Sequence, residues 1–427
     1  MSYLQQYDSI PAADARSRVG LVNGWIRTDT RAFFAELRER RPIFRTPAYT
    51  LVTRYRDVID ILIRDDLFTV RPYAPKMDPV VGPFMLGRDR QPLNWRHKSV
   101  MSSMMPMEDL PDVRALIGRI ADKILDEAVP TGRLDAVKNL GRTVPVRMCG
   151  EYFGFPGPDE ASMYRWSKAT QSDFFKNIQG DPKVHETAVT AGAEMRDYLK
   201  GLIESRRAEL AAGVGADRHD VLTRLLQTSF APGAGLDEDE LLTNMSGLLV
   251  GSVETTSQAI VQVLEQILLQ PAVHKSALAA AKAGDSKALA AVVWEALRFN
   301  PINPLLFRLT SGETVLARGT SYETHLPANN LVFACSSSAM WDDSEIDNPD
   351  AFVPGRPSHH YLHFGYKAHE CLGVHVGEVM VPETVGRVLL RENVHLLDGD
   401  EGKIDFENGP FPEKFLIGFR QAQTATA

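Results

Sequence analysis

Phe364-Gly365-Tyr366-Lys367-Ala368-His369-Glu370-Cys371-Leu372-Gly373 puts a single cysteine in a short loop with glycine near each end. An apolar helical pattern, VHVGEVMVPETVGRVLLREN, follows at once. A cysteine just ahead of a helix feels the positive end of the helix dipole, which favours its thiolate. Glycines let backbone come close to a flat ligand. A cysteine taken alone is more often a small buried hydrophobe. The weight therefore rests on the whole string and on its surroundings.

The other two cysteines make the contrast. Cys149, in VRMCGEYFG, and Cys335, in LVFACSSS, lie in apolar runs and read as core. Three cysteines without a CxxC pair make neither a disulfide framework nor a zinc site. With 427 residues, 44% of them hydrophobic and 24% charged, the chain can bury a large core and is not globally disordered. A net charge of −8 excludes a generally basic nucleic-acid binder. The start, MSYLQQYDSIPAADARS, lacks the basic-then-apolar pattern of a signal peptide. No apolar run reaches the ~18 residues of a membrane helix. A cytoplasmic protein without a membrane span is the expectation.

Outward from the loop the chain is mostly helical. Residues 31–40 and 56–65 have helical spacing, and 42–55 alternate as a β-hairpin does. Residues 71–92, rich in Pro, Gly and Met, read as a long loop of the kind that often serves function. From 93 to 270 the pattern is helical, with breaks at 130–133, 154–160, 211–220 and 229–240. Its last part, 238–270, opens on acidic residues and is apolar nearly all round, which predicts a central buried helix. Further helices fall at 274–299, β-like runs at 302–335, and a helix after 373.

Four other strings carry chemistry. Glu295 and Arg298, in WEALR, share a helix face and can pair. The loop NPDAFVPGR ends on Arg356. Phe299-Asn300-Pro301 leads to Phe307-Arg308. The central helix carries Val250-Gly251-Ser252-Val253-Glu254-Thr255-Thr256. A buried acid beside a hydroxyl is costly unless it is used or satisfied, although a mid-helix hydroxyl can simply bond back to the preceding turn.

In order and in content, these strings resemble the cytochrome P450 family. Phe364, Gly365, His369, Cys371 and Gly373 match its cysteine loop, FGxGxHxCxG, with Lys367 where a second glycine is usual. Glu295 and Arg298 match its ExxR helix, and Arg356 the later arginine that closes a structural network. Gly251, Glu254 and Thr255 match its oxygen-activation motif, with Ser252 where glycine is usual. Arg308 falls where the family holds a haem propionate, a task suited to the planar guanidinium fork. The match is weaker over 89–104. There Leu93 and His97 stand at positions that usually offer His and Arg to a propionate, with Trp95 and Arg96 as substitutes.

The resemblance implies a mainly α fold with a small β-rich lobe, a single domain over 1–427. It implies haem b, with Cys371 as the iron's axial ligand, and Gly251, Phe364, His369, Gly373, Arg308 and His97 as cofactor-binding residues. A thiolate ligand favours O–O cleavage, and this family is the standard example of it. The implied reaction inserts one oxygen atom from O2 into an apolar small molecule. Glu254 and Thr255 would pass protons to dioxygen, and a separate ferredoxin-type partner would supply electrons. Val80, Val81, Phe84, Met85, Val250 and Leu305 are the expected apolar substrate contacts, with Phe174 and Phe175 above them. Two rival readings stand beside this one. The first is a peroxide- or hydroperoxide-fed peroxygenase or isomerase, and the second a non-enzymatic haem sensor.

Overall fold

The computed structural model describes residues 1–419 except 90, 179 and 408. Its contacts divide into two compact units, each assembled from separated stretches of chain.

The first unit comprises residues 1–72, 86–91 and 303–371. Its centre is a five-stranded sheet in the order Ile43–Arg45, Thr50–Val52, Leu331–Ala334, Leu306–Thr310, Phe68–Thr69. The expected hairpin at 42–55 is its edge, with Phe44 opposite Leu51. Thr50–Val52 runs parallel to Leu331–Ala334, and the other pairings are antiparallel. Two further strands, Thr314–Leu316 and Thr324–Leu326, form a separate hairpin. Tyr7, Trp25, Phe33, Phe34, Phe44, Tyr49 and Phe333 pack as one buried aromatic cluster. Several ring pairs within it meet edge to face, the arrangement their quadrupoles favour. Leu305 packs partly buried against this cluster, so its first role is a core contact.

The second unit is helical. Its long segment is the helix Glu238–Leu269, 32 residues, against the predicted 238–270. Asp237 caps it by accepting from the Glu240 amide, while the Glu240 side chain accepts from the Asp237 amide, a reciprocal capping box. Pro271 opens the next helix, where its missing N–H costs nothing. The helices Glu160–Gln171, Thr143–Glu151, Pro182–Ala211, Ser286–Phe299 and Val374–Leu389 surround the long one. No helix among the described residues is long and apolar enough to cross a membrane.

Two expectations need correction. The stretch 71–92 is not one loop: Ala74–Val81 is a helix. Pro75 sits in its first turn, where proline is tolerated, and Gly82 ends it at φ +92°. Proline and glycine therefore bound this helix without excluding it. The break at 130–133 leads into a strand, Arg133–Asp135, which pairs with Leu416–Gly418; that strand in turn pairs with His395–Leu396.

Glu295 and Arg298 are both fully buried on Ser286–Phe299, joined by bonds of 2.7 and 3.0 Å. Two unlike charges taken out of water hold one another, and deleting either leaves the other uncompensated. Glu295→Ala is therefore expected to cost about 3–5 kcal/mol. The measurement is urea unfolding of purified protein, and a midpoint unchanged from wild type would contradict it.

Candidate active site

In the first unit, the loop around Cys371 is shaped by its own backbone. Gly365 turns at φ +78°, and a Cβ there would come within 3.0 Å of the His369 carbonyl. The Cys371 amide donates to the Phe364 carbonyl at 2.8 Å. Lys367, standing where glycine is usual, keeps the left-handed conformation at φ +53°. The substitution thus changes the loop's charge and leaves its turn in place. Cys371 is exposed, while Cys149 and Cys335 are buried. Burial pushes the Cys149 thiol up to about 12, which fits the core role read for it.

His369 is nearly buried, and its Nε2 has no hydrogen-bond partner among the described residues; the nearest acid, Asp89, is 3.6 Å away. Asp89 itself accepts from the Val70 amide at 2.7 Å. Arg308 is buried in Leu306–Thr310 and donates to the Phe307 carbonyl. Arg356 donates to the carbonyls of Asp347, Asn348 and Ala351, which braces its own loop.

In the second unit, the burial of the long helix is interrupted in its middle. Gly251 is exposed, and nothing lies within 4 Å of where its Cβ would be. Thr255, one turn on, is also partly open and donates to the Gly251 carbonyl at 2.6 Å. Side chains reach the preceding carbonyls as well. Ser167 and Ser252 donate to Leu249, each at 3.4 Å, and Gln171 donates to Val250. Ser252 also meets the Cys149 sulfur at 3.1 Å. Its hydroxyl is thus engaged in the core.

Glu254 is fully buried and turns to a different set of groups. Its Oε1 lies 3.6 Å from Arg142 Nε. Arg142 donates to Glu413 and to the Pro412 carbonyl, both at 2.9 Å, and stacks 4.1 Å over the Tyr164 ring. Lys168 pairs with the other Glu413 oxygen at 2.6 Å. Neither carboxylate oxygen of Glu254 has a hydrogen-bond partner among the described residues. Burial pushes this carboxyl up to about 7. Arg142, Lys168 and the nearby Tyr164 hydroxyl offset only part of that effect, and Glu413 adds to it. Arg142, Lys168, Tyr164 and Glu413 escape a reading of the sequence because they come from four distant segments and form no local pattern.

His97 lies on helix Pro92–Ser103. It is fully buried, with Nδ1 3.0 Å from the Asn244 amide nitrogen and Nε2 3.2 Å from Glu240. Burial holds its pKa below the ordinary range despite Glu240. The ring lies between helix Pro92–Ser103 and the long helix, and its Nε2 has no hydrogen-bond partner among the described residues. Arg96, the substitute, is bonded to Glu240 and to the Gly235 carbonyl. Val80, Val81, Phe84, Met85 and Val250 are all buried. The Phe84 ring lies where a Cβ on Gly247 would be, and the Val80 carbonyl is equally close to Gly192.

Comparisons with known proteins agree with this geometry. Residues 161–417 match the family described as Cytochrome P450. The chain is 29% identical to the cytochrome P450 monooxygenase PikC of Streptomyces venezuelae, over 75% of this chain and 71% of that one. It is 25% identical to a steroid C26-monooxygenase of Mycolicibacterium smegmatis, over 88% and 89% of the two chains. The solved structure of CYP109Q5 from Chondromyces apiculatus superposes with a TM-score of 0.76, covering 93% of this chain and 97% of the other at 22% identity. The chain belongs to the cytochrome P450 family. It is an oxidoreductase, a P450 monooxygenase, and membership implies a haem-thiolate cofactor, dioxygen and a redox partner.

Two outcomes follow from this geometry. Cys371→Ser is expected to lose the red-shifted Soret band of the reduced, carbonyl-bound protein, and survival of that band would remove Cys371 as the ligand. Glu254 sets a pH dependence. Its carboxyl has a higher pKa in the fold, about 7, than its ordinary 4.5. Protonation therefore favours folding below the lower value, and that contribution fades as pH rises through the upper one. The effect is at most roughly 3 kcal/mol. Between about pH 5 and about pH 8 the Tm difference is expected to move in favour of Glu254→Gln. Parallel pH profiles for the two proteins would show that Glu254 titrates normally.

Proposed function

We propose that the chain holds haem b through Cys371 and uses dioxygen to insert one oxygen atom into a largely apolar small molecule. The observation that carries this is the exposed Cys371 on a loop turned by Gly365 and Lys367, in a chain whose other cysteines are core. Haem, when bound, supplies the redox chemistry that activates dioxygen. The residues present fit it. Gly251 leaves open space on a buried helix, His369 carries an orphaned buried nitrogen, and Arg308 is a buried guanidinium suited to a carboxylate. Phe364 and Gly373 complete the cofactor loop.

The chain's own residues divide the remaining work. Thr255 presents its hydroxyl oxygen beside Gly251 on the open face, held there by its bond to the Gly251 carbonyl. Glu254, poised near neutrality, can hold a proton or release it. Glu413 and the half-exposed Lys168 connect its surroundings to solvent. Val80, Val81, Phe84, Met85 and Val250 supply apolar surface for the substrate, Glu295 and Arg298 pair within their helix, and Arg356 braces its own loop. Electrons come from a ferredoxin-type protein, for which exposed Lys367 offers local positive charge. We read 1–427 as one cytoplasmic domain, because the chain passes five times between segments of the two units.

Turnover supported by a ferredoxin and its reductase, compared with turnover on peroxide alone, tests this reading against the peroxide-fed alternative. Thr255→Ala should bind substrate and accept electrons but release peroxide at the expense of product. Thr256→Ala, at a buried neighbour, should not. Glu254→Gln should slow turnover by up to about 10²–10⁴-fold. Unchanged product per electron in both Thr255→Ala and Glu254→Gln would move the reading to peroxide.

A further inference from the structure

Helix Glu160–Gln171 lies against the long helix, and it presents a polar stripe there. Tyr164, Ser167, Lys168 and Gln171 recur at the three- and four-residue spacing that shares one helix face. The Tyr164 hydroxyl acts on Glu254, and Lys168 holds the Glu413 that Arg142 also holds. Ser167 and Gln171 reach the carbonyls of Leu249 and Val250. The bulkier Trp166 turns elsewhere: it donates to Glu194 at 3.0 Å and stands 5.9 Å from Tyr198, both on Pro182–Ala211. Gln171 is 2% exposed. Burying an amide where an apolar side chain would pack is costly unless its hydrogen bond is used.

Three successive carbonyls of the long helix, those of Leu249, Val250 and Gly251, accept from side chains. In an α-helix each also serves the amide four residues on, which for Val250 is that of Glu254. Ser252 and Thr255 are donors from the long helix itself. Ser167 and Gln171 come from outside it. At 3.4 Å the Ser167 bond is weak, so Gln171 is the stronger external tie.

The tie has a direct route to Thr255. The Val250 carbonyl and the Gly251 amide belong to one rigid peptide plane. A donor that holds the carbonyl fixes the tilt of that plane. Gly251, without a Cβ, is the residue that resists such a tilt least. The Gly251 carbonyl in turn holds the Thr255 hydroxyl at 2.6 Å.

We propose that Gln171 is a positioning residue for the reaction turn: by holding the Val250 carbonyl it fixes the peptide plane before Gly251, and so the direction in which Thr255 presents its hydroxyl. Gln171 acts through this turn and touches no reacting atom. The inference rests on the reading that Gly251 and Thr255 face the haem, and it names a residue outside the long helix on which that face depends.

The test uses haem-loaded protein with carbon monoxide as the probe. The infrared stretch of the gas on the reduced protein reports the polar groups beside it. Gln171→Met and the shorter Gln171→Asn are expected to displace or split the wild-type band. Thr170→Val should leave it in place, because that hydroxyl bonds only within its own helix, to Trp166 and Ser167. Hydrogen exchange at the Glu254 amide should rise about 10-fold in Gln171→Met. A role in packing alone would also raise that exchange, so the decisive readout is a double-mutant comparison. Against a Thr255→Val background, Gln171→Met should no longer move the band, since the group it positions is gone. If Gln171→Met does not fold, Gln171→Asn is carried through the same comparison. A band unmoved by either change at Gln171 overturns the proposal, as does a displacement that persists undiminished without the Thr255 hydroxyl. The two levels fail differently. A band that Thr255→Val moves and Gln171→Met does not refutes the role of Gln171 alone. A band that Thr255→Val leaves unmoved refutes the reading that this turn faces the haem.

Discussion

A 32-residue helix that is apolar on nearly every face has to be covered on nearly every face. That requirement organises the second unit. Glu160–Gln171, Thr143–Glu151, Pro182–Ala211, Ser286–Phe299 and Val374–Leu389 each take part of its circumference. Where glycines fall on its sides the neighbours come very close, as the Phe84 ring does at Gly247. Between Leu241 and Leu264 the cover lapses only at Gly251, Ser252 and Thr255. A gap in the cover of such a helix is worth explaining, because it leaves polar backbone and hydroxyl groups facing space that packing would otherwise fill. Function is the simplest account of it.

The same helix must also carry its charges. Glu254 could not stay ionised in such surroundings without help, and Arg142, Lys168 and Tyr164 help only partly. The result is a carboxyl balanced near neutral pH. Glu295 and Arg298 solve the corresponding problem completely, each serving as the other's partner at full burial. Incomplete compensation leaves a group that can change protonation state, and complete compensation leaves one that holds structure. The two acids differ in role for this reason, although both are fully buried.

Legibility in the sequence followed locality. The cysteine loop, the Glu295–Arg298 spacing and the motif at Gly251–Thr255 are each contiguous or nearly so, and each could be read directly. The long helix announced itself through its acidic first turn and the largely apolar run that follows it. Helix Ala74–Val81 was hidden because two prolines and a following glycine resemble a loop, although Pro75 occupies a position helices accept. Strand Arg133–Asp135 is three residues long and becomes a strand only through Leu416–Gly418, far along the chain. The partners of Glu254 depend on segments brought together by folding, and no spacing encodes them. The neighbours of His97, Glu240 and Asn244, lie well over a hundred residues away and could not be read from its surroundings in the sequence.

Lys367 adopts a left-handed backbone conformation that side chains seldom take. Holding a non-glycine residue there costs roughly 1–2 kcal/mol of strain. Glycine would avoid the strain, yet it would also give the unfolded chain more freedom to lose, by roughly 0.4–1 kcal/mol. The two effects oppose each other, so the fold itself has only a weak preference at this position. The charge beside the cysteine is therefore a property the sequence can vary almost independently of stability, which makes it a natural place for related chains to tune the face they offer to an electron donor.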